Sequence, residues 1–401
     1  MDKSTKAIII GTSDVIRLCT IRAVGALGCS VDVIRICGKY DKYVKTIDYY
    51  SKYVDKYYYF VLPTKVSLSV FLLEKYKNSG QKPIIFTLGD NSTYLIDKDR
   101  DSLKDHFLFA HLDNGQSIAD LMNKHGVKMQ AETVGLAVAK GWPIPYENGA
   151  FSIPDDITFP CFLKGLYSYW NSKDIQKKCD NRSELVSSLE HCKSIYPHSV
   201  YAEEYVNVEK ELGIMGVSDG EKCVIPAITE LMVMGKGSSH GVSILGHIEP
   251  IKGGNLQNKI ENLLSKLHYV GIFNIDLIKT KDQIMFVELN LRYATYGYAL
   301  FKAGVNIPEL FICNLLKYKN AELSTELDGE HYYLNEMVAY NNIVEKNFTR
   351  RDFLELRKKA DILFVDSPDD PRPQKHFITS LKLQQMMVML RKTTKLLFRG
   401  N

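Results

Sequence analysis

The chain has 401 residues, 45% apolar and 24% charged, which is more than one core usually holds, so two or three domains are expected. Its 51 basic and 47 acidic residues leave a net charge of +4, a balance that argues against a nucleic-acid partner. The eight cysteines form no CxxC pair and lie mostly in apolar runs, which fits buried free thiols in a reducing cytoplasm rather than a disulfide framework or a zinc site.

MDKSTKAIIIGTSD has too short an apolar run for a signal peptide, and no stretch reaches the roughly 18 apolar residues that a membrane span needs. KAIIIGTSD reads as a buried strand and a tight glycine turn, VIRLCTIRAVGALG as a helix, and SVDVIRIC as a second strand, a βαβ opening. Only Gly11 stands in the turn, so the spacing departs from G-x-G-x-x-G and gives little support to a dinucleotide site. YDKYVKTIDYYSKYVDKYYYF (40–60) fits a surface loop leading into a tyrosine-rich strand. A stacking platform for single-stranded nucleic acid is the alternative there. KPIIFTLGD (82–90) looks like a further buried strand, ending where open α/β sheets place ligands. Residues 1–115 are thus expected to form a small α/β domain.

Val127, Met129, Ala131, Val134 and Leu136 fit a short amphipathic helix, which WPIP closes. ITFPCFLKG (157–165) reads as a strand, RSELVSSLEHCKSI as a helix, and SVYAEEYVNVEKELGIMGVSDGEKCVIPAITEL as a run of strands. GKGSSHG (235–241) is a polar, glycine-rich loop, and NKIENLLSKLHYV an amphipathic helix. The strands GIFNIDLIKT and QIMFVELNLR follow, with TKDQ as their hairpin turn.

The chemistry gathers in that hairpin. In FVELNLRYAT (286–295), strict alternation sends Glu288, Asn290 and Arg292 to one face and Val287 and Leu289 to the other. Folding the hairpin can set Asp276 opposite Glu288 or Asn290. Two carboxylates and a carboxamide oxygen make a hard-donor Mg²⁺ site that nucleotide phosphates would complete. Arg292 could then take phosphate or carboxylate oxygens bidentately. An exposed polar face with no ligand is the plainer alternative.

GIFNIDLIKTKDQIMFVELNLR resembles the magnesium-binding hairpin of the ATP-grasp superfamily, in which an acidic residue precedes an E-x-N-x-R strand. Further landmarks follow in the family's order. NKHGVKMQAETVGLAVAKG is similar to the segment that begins Asp-Lys, with Asn123 in place of the Asp and Lys124 retained. FPCFLKG resembles the strand whose lysine, here Lys164, reaches the nucleotide phosphates. YAEEYV resembles the hinge between two lobes, which implies that backbone at Tyr205 and Val206 faces the adenine edge. Glu203 or Glu204 would take the adenine amino group, and Glu211, with Glu209 competing, the ribose. Within the superfamily the resemblance is to D-aspartate ligase-like carboxylate–amine ligases, carried by IIIGTSD…IRAVGALG, KAGVNIPEL (302–310) and DDPRP (369–373).

The resemblance implies an α/β protein with a Rossmann-like pre-ATP-grasp domain (1–115), a two-lobed ATP-grasp domain (116–330) and a C-terminal extension (331–401). It implies ATP and Mg²⁺ as cofactors, with Asp276, Glu288 and Asn290 on the metal. It further implies a small-molecule carboxylate donor and an amine acceptor, with Arg292, Lys236 and His240 as catalytic candidates. A dipeptide-forming or other small-molecule ligase and a nucleotide-binding regulator without turnover remain open, the latter favoured by Asn123. FITSLKLQQMMVMLRKTTKLLFRGN (377–401) has five basic residues, no acidic one and an apolar side. It fits either peripheral contact with an anionic membrane, at the inner face of the cytoplasmic boundary, or a helix packed on its own domain.

Overall fold

The computed structural model describes residues 4–170, 173–237, 242–251, 253–318 and 323–381. Three sheets carry the architecture. In the first, strands β1 (Lys6–Gly11), β2 (Ser30–Gly38), β3 (Val54–Leu62) and β4 (Ile84–Thr87) run parallel in the order β3-β2-β1-β4. Ala7 and Ile9 enter one core cluster while Ile8 and Ile10 enter another. Both faces are therefore covered, which is why AIII reads as an unbroken apolar run. Gly11 is needed for close approach: a Cβ there would stand 2.9 Å from the Cβ of Leu88. The turn glycine thus serves the packing of adjacent strand ends.

The second sheet is antiparallel, in the order Lys177–Cys179, Cys161–Gly165, Val200–Glu204, Gly141–Ile144. Helix Arg182–Ile195, capped by Asn181, packs on it through Leu185, Leu189 and Cys192. WPIP does not simply close a helix: Gly141–Ile144 is a strand at the sheet's edge, with Pro143 opposite Tyr201. Pro lacks a ladder donor and is accommodated at an edge.

Nine strands among the described residues make the third sheet, with Lys210–Asp219 between Cys223–Met234 and Tyr269–Lys279 at its centre. Leu212 and Ile214 face a core with helices Asn255–Lys266 and Lys124–Thr133; Met215 and Val217, on the opposite face, join the core shared with helix Ile307–Leu316. In the helix Lys124–Thr133, Val127 and Ala131 are buried as expected, but Met129 is 46% exposed. His331–Leu334 and Ile362–Leu363 extend the same sheet.

The three phrases IRAVGALG, KAGVNIPEL and DDPRP meet in space. Arg22 is buried and gives Nε to Asp370 Oδ2 at 3.0 Å, with its other nitrogens on the carbonyls of Phe364, Val365 and Asp370. Asp370 also accepts from Ser51 Oγ and the Lys52 N–H. Asn306 donates to the carbonyl of Ala23 at 2.8 Å. These bonds clamp the parallel sheet's first helix to the C-terminal part of the chain, with every nitrogen of a buried guanidinium engaged.

Seven of the eight thiols are buried and all are unbridged. Among the described residues, no helix is long and apolar enough to cross a membrane.

Candidate active site

The hairpin forms as the alternation predicts, and its register sets Asp276 opposite Glu288 and Asn274 opposite Asn290. The Thr280 N–H closes the turn on the carbonyl of Gln283 at 2.9 Å. A bulge follows, because Leu277 pairs with Phe286 and Val287 is left over. Strict alternation therefore fails at one residue: Val287 lines the cleft with Asp276 instead of facing away.

Asp276 accepts from Asn274 Nδ2 at 2.9 Å and from Asn290 Nδ2 at 3.0 Å. Burial, then the Glu288 charge, push its carboxyl up to about 6. Glu288 is held down at about 2: burial acts to raise it, but the charges of Lys124 and Lys164 outweigh that. Glu288 Oε1 receives both Lys124 Nζ and, at 3.0 Å, Ser168 Oγ. Ser168 lies in a loop that grips the start of the Lys124 helix, through Lys124 N–H to Leu166 O and Ser168 N–H to Met122 O.

Two facing carboxylates with a carboxamide beside them, one carboxyl raised by the other's charge, are an all-oxygen donor set that a hard divalent cation would satisfy. Asp276, Glu288 and Asn290 thus fit Mg²⁺. Asn290 Oδ1, now 3.3 Å from Arg292 Nη2, is the oxygen it would contribute.

The phosphate-side lysines share a carboxylate. Lys164 Nζ meets Glu203 Oε1 at 2.6 Å, and Lys128 Nζ meets the other oxygen. Burial is the main force lowering Lys164 to about 8. The two cations hold the Glu203 carboxyl below its usual range against the effect of burial. Of Glu203 and Glu204, either of them expected on the adenine amino group, Glu203 bridges two lysines. Lys128 was not singled out from the sequence, although it lies four residues after Lys124 and hence on the same helix face.

A cleft of about 580 Å³ separates the second and third sheets. Ala139, Phe162, Leu212, Leu277, Met285 and Phe286 give it flat apolar walls, suited to a planar base. Glu203, Glu204, Tyr205, Val206 and Glu211 line it too, whereas Glu209 does not. The Tyr205 N–H is engaged by the carbonyl of Pro160 at 3.1 Å, so that amide does not face a base.

A second cavity, of about 240 Å³, meets the cleft at Asp276 and Leu231. Arg292, Asn290, Asn274, Ser243, Tyr296 and Tyr333 are among its walls. Arg292 Nε donates to Asp90 Oδ1 at 2.7 Å. Asp90 opens the helix that follows β4, at the strand end where a ligand was expected. Lys236 is exposed, gives its N–H to Asn342 Oδ1, and lines neither cavity. Its neighbour Gly235 donates its N–H to the carbonyl of Val242, a wall of the small cavity, at 2.8 Å, so Lys236 follows directly on that wall. His240 lies outside the described residues.

Residues 129–303 match the model of the ATP-grasp domain. Among solved structures, the biotin carboxylase domain of the Hydrogenobacter thermophilus 2-oxoglutarate carboxylase, in complex with MgADP, ADP and bicarbonate, superposes with a TM-score of 0.63 at 14% identity over 82% of this chain and 73% of its own. The L-amino acid ligase of Bacillus licheniformis gives 0.59 at 14% identity over 83% and 80%. For the pyruvate carboxylase of Rhizobium etli the values are 0.60 and 16% over 82% of this chain, which spans only 32% of that larger protein. At these identities the likeness is one of fold. The carboxylate hairpin and the lysine-lined cleft fall within or beside the matched span, and residues 129–303 of this chain are an ATP-grasp domain.

Proposed function

We propose that this protein is an ATP-dependent carboxylate–amine ligase, releasing ADP and phosphate through an acyl phosphate. The observation that carries the reading is the meeting of two cavities at Asp276. One has the walls for a nucleotide, and the other is below the 300–1,000 Å³ of drug-sized ligands and holds a guanidinium.

A carboxylate does not condense with an amine at neutral pH, because hydroxide leaves poorly. Phosphorylating the carboxylate makes a mixed anhydride, whose carbonyl the amine attacks as phosphate departs. Mg²⁺, when bound, would neutralise phosphate charge. Lys128 and Lys164 would exchange Glu203 for phosphate oxygens, Lys124 would remain beside Glu288, and Arg292 would orient the donor carboxylate within the small cavity. Closure of the 166–170 loop on the Lys124 helix would help exclude water from the anhydride.

The donor in this reading is a small acidic amino acid such as D-aspartate, and the acceptor an amine on a cell-wall or surface-polysaccharide precursor met in the cytoplasm. Its support is the three sequence phrases, which the fold brings into one clamp, together with the size of the cavity. Residues 1–115, 116–330 and 331–401 would act as pre-ATP-grasp domain, ATP-grasp domain and extension. A regulator without turnover loses its motive at Asn123: this residue caps its helix by accepting from the Gly126 N–H at 3.0 Å, a task Asn and Asp perform about equally.

The test is product analysis with Mg-ATP, D- and L-amino acids, and hydroxylamine to trap acyl phosphate. ADP and a hydroxamate from one amino acid are expected. AMP with pyrophosphate would refute the mechanism.

A further inference from the structure

At the carboxyl ends of β2 and β3 the chain presents side chains that fold packing leaves uncovered. Tyr40, Tyr43 and Val44 are 76%, 75% and 59% exposed. Gly38 pairs with Leu62, so the loops after β2 and β3 leave the sheet side by side. The second loop adds exposed Leu62 and Val66. Isolated exposed apolar residues are ordinary, but five on two adjacent loops form a patch.

The backbone beneath them is fixed. Arg35 is buried and donates Nη1 to the carbonyls of Asp41 and Val44. Asp41 turns its carboxylate inward to accept the Gly38 N–H at 3.0 Å. A buried guanidinium thus holds the loop in a shape that points its tyrosines outward.

Charge supplies the second half of the argument. Residues 39–46 and 62–67 carry four lysines (Lys39, Lys42, Lys45, Lys65) and one carboxylate, Asp41, which is already bonded. The lysines interleave with the rings: Lys42 lies 5.0 Å from the Tyr43 centroid and Lys45 4.3 Å from that of Tyr49. Tyrosine and aliphatic side chains beside lysines are the composition that settles at the headgroup level of an anionic bilayer.

We infer that the loops after β2 and β3 form a docking surface for an anionic lipid membrane. They leave the same edge of the parallel sheet as β4, whose loop carries Asp90 to Arg292. β2 and β3 stand two and three strands from β4, about 10 and 14 Å at the usual strand spacing. Docking there would turn the Asp90 edge toward the bilayer. That consequence for substrate delivery rests on the ligase reading, whereas the membrane contact does not.

The experiment is co-sedimentation of the full chain with phosphatidylcholine vesicles, with and without phosphatidylglycerol. Binding is expected only to the mixed vesicles and should weaken with salt. Replacing Lys39, Lys42 and Lys45 together with Gln should weaken it on the order of a hundredfold, at roughly fivefold per lysine. Tyr40→Ser with Tyr43→Ser and Val44→Ser should lose at least about tenfold. All six side chains are exposed, and unchanged melting of both variants would confirm that the fold is kept. No binding to anionic vesicles, undiminished binding by either variant, or capture of a single-stranded oligonucleotide in place of vesicles would overturn the inference. Each readout is independent of catalysis.

Discussion

The large cleft and the small cavity meet at one carboxylate, Asp276, yet they are built in opposite ways. The cleft draws polar groups such as Lys128, Glu203, Glu211 and Asp276 from strands and a helix within or beside residues 129–303, and a hairpin register sets Asp276 opposite Glu288. The small cavity gathers Ile16, Arg292, Tyr333 and Phe364 from distant parts of the chain. Its one clear ion pair, Arg292 with Asp90, spans 202 residues. Local pairing rules make the first kind of site recognisable in one dimension, whereas the second kind depends on how distant elements pack.

The largest effect is expected at the junction of the two cavities. Glu288→Gln should lower turnover on the order of 10³-fold, about 4 kcal/mol in barrier, while changing nucleotide affinity little. Steady-state kinetics beside nucleotide titration checks this, and near-wild-type turnover would remove the hairpin from the chemistry. The next effect concerns the clamp that joins the first helix to the C-terminal part of the chain, which between them supply Ile16 and Phe364 to the small cavity. Arg22→Ala leaves Asp370 buried without its cation and should cost about 3–5 kcal/mol in unfolding free energy. Urea unfolding reads that loss, and a change below about 1 kcal/mol would mean that the clamp is dispensable.

Asp90→Asn should affect only the small cavity. The expected result is an increase of about 10- to 100-fold in KM for the carboxylate substrate, with nucleotide KM unchanged, because a freed guanidinium no longer holds its orientation. Equal loss for both substrates would erase the proposed separation of the cavities. The smallest effect is a pH dependence confined to the cleft. Burial holds Lys164 at about 8, so its charge is present below pH 8 and lost above it. Nucleotide affinity should therefore be flat below pH 8 and fall by up to about tenfold between pH 8 and 9. Lys164→Arg, charged throughout, should flatten the profile. A profile that falls on the acid side instead would assign the titration to another group.

Alternation in FVELNLR and the turn residues of TKDQ determined by themselves that a carboxylate, a carboxamide and a guanidinium would share a face, since a strand's period of two leaves little freedom. The apolar runs of β1 and β4 likewise marked a sheet buried on both faces. Asn274, two residues before Asp276, and Lys128, one helical turn after Lys124, obey the same periodicities and were legible in principle. Tertiary structure alone decided what lies across gaps in sequence. It turned Glu203 to two lysines instead of a base, engaged the Tyr205 amide with Pro160, and joined Arg292 to Asp90 and Arg22 to Asp370. No local period encodes such partners, because a buried charge takes whichever opposite charge the packing of other elements brings within reach.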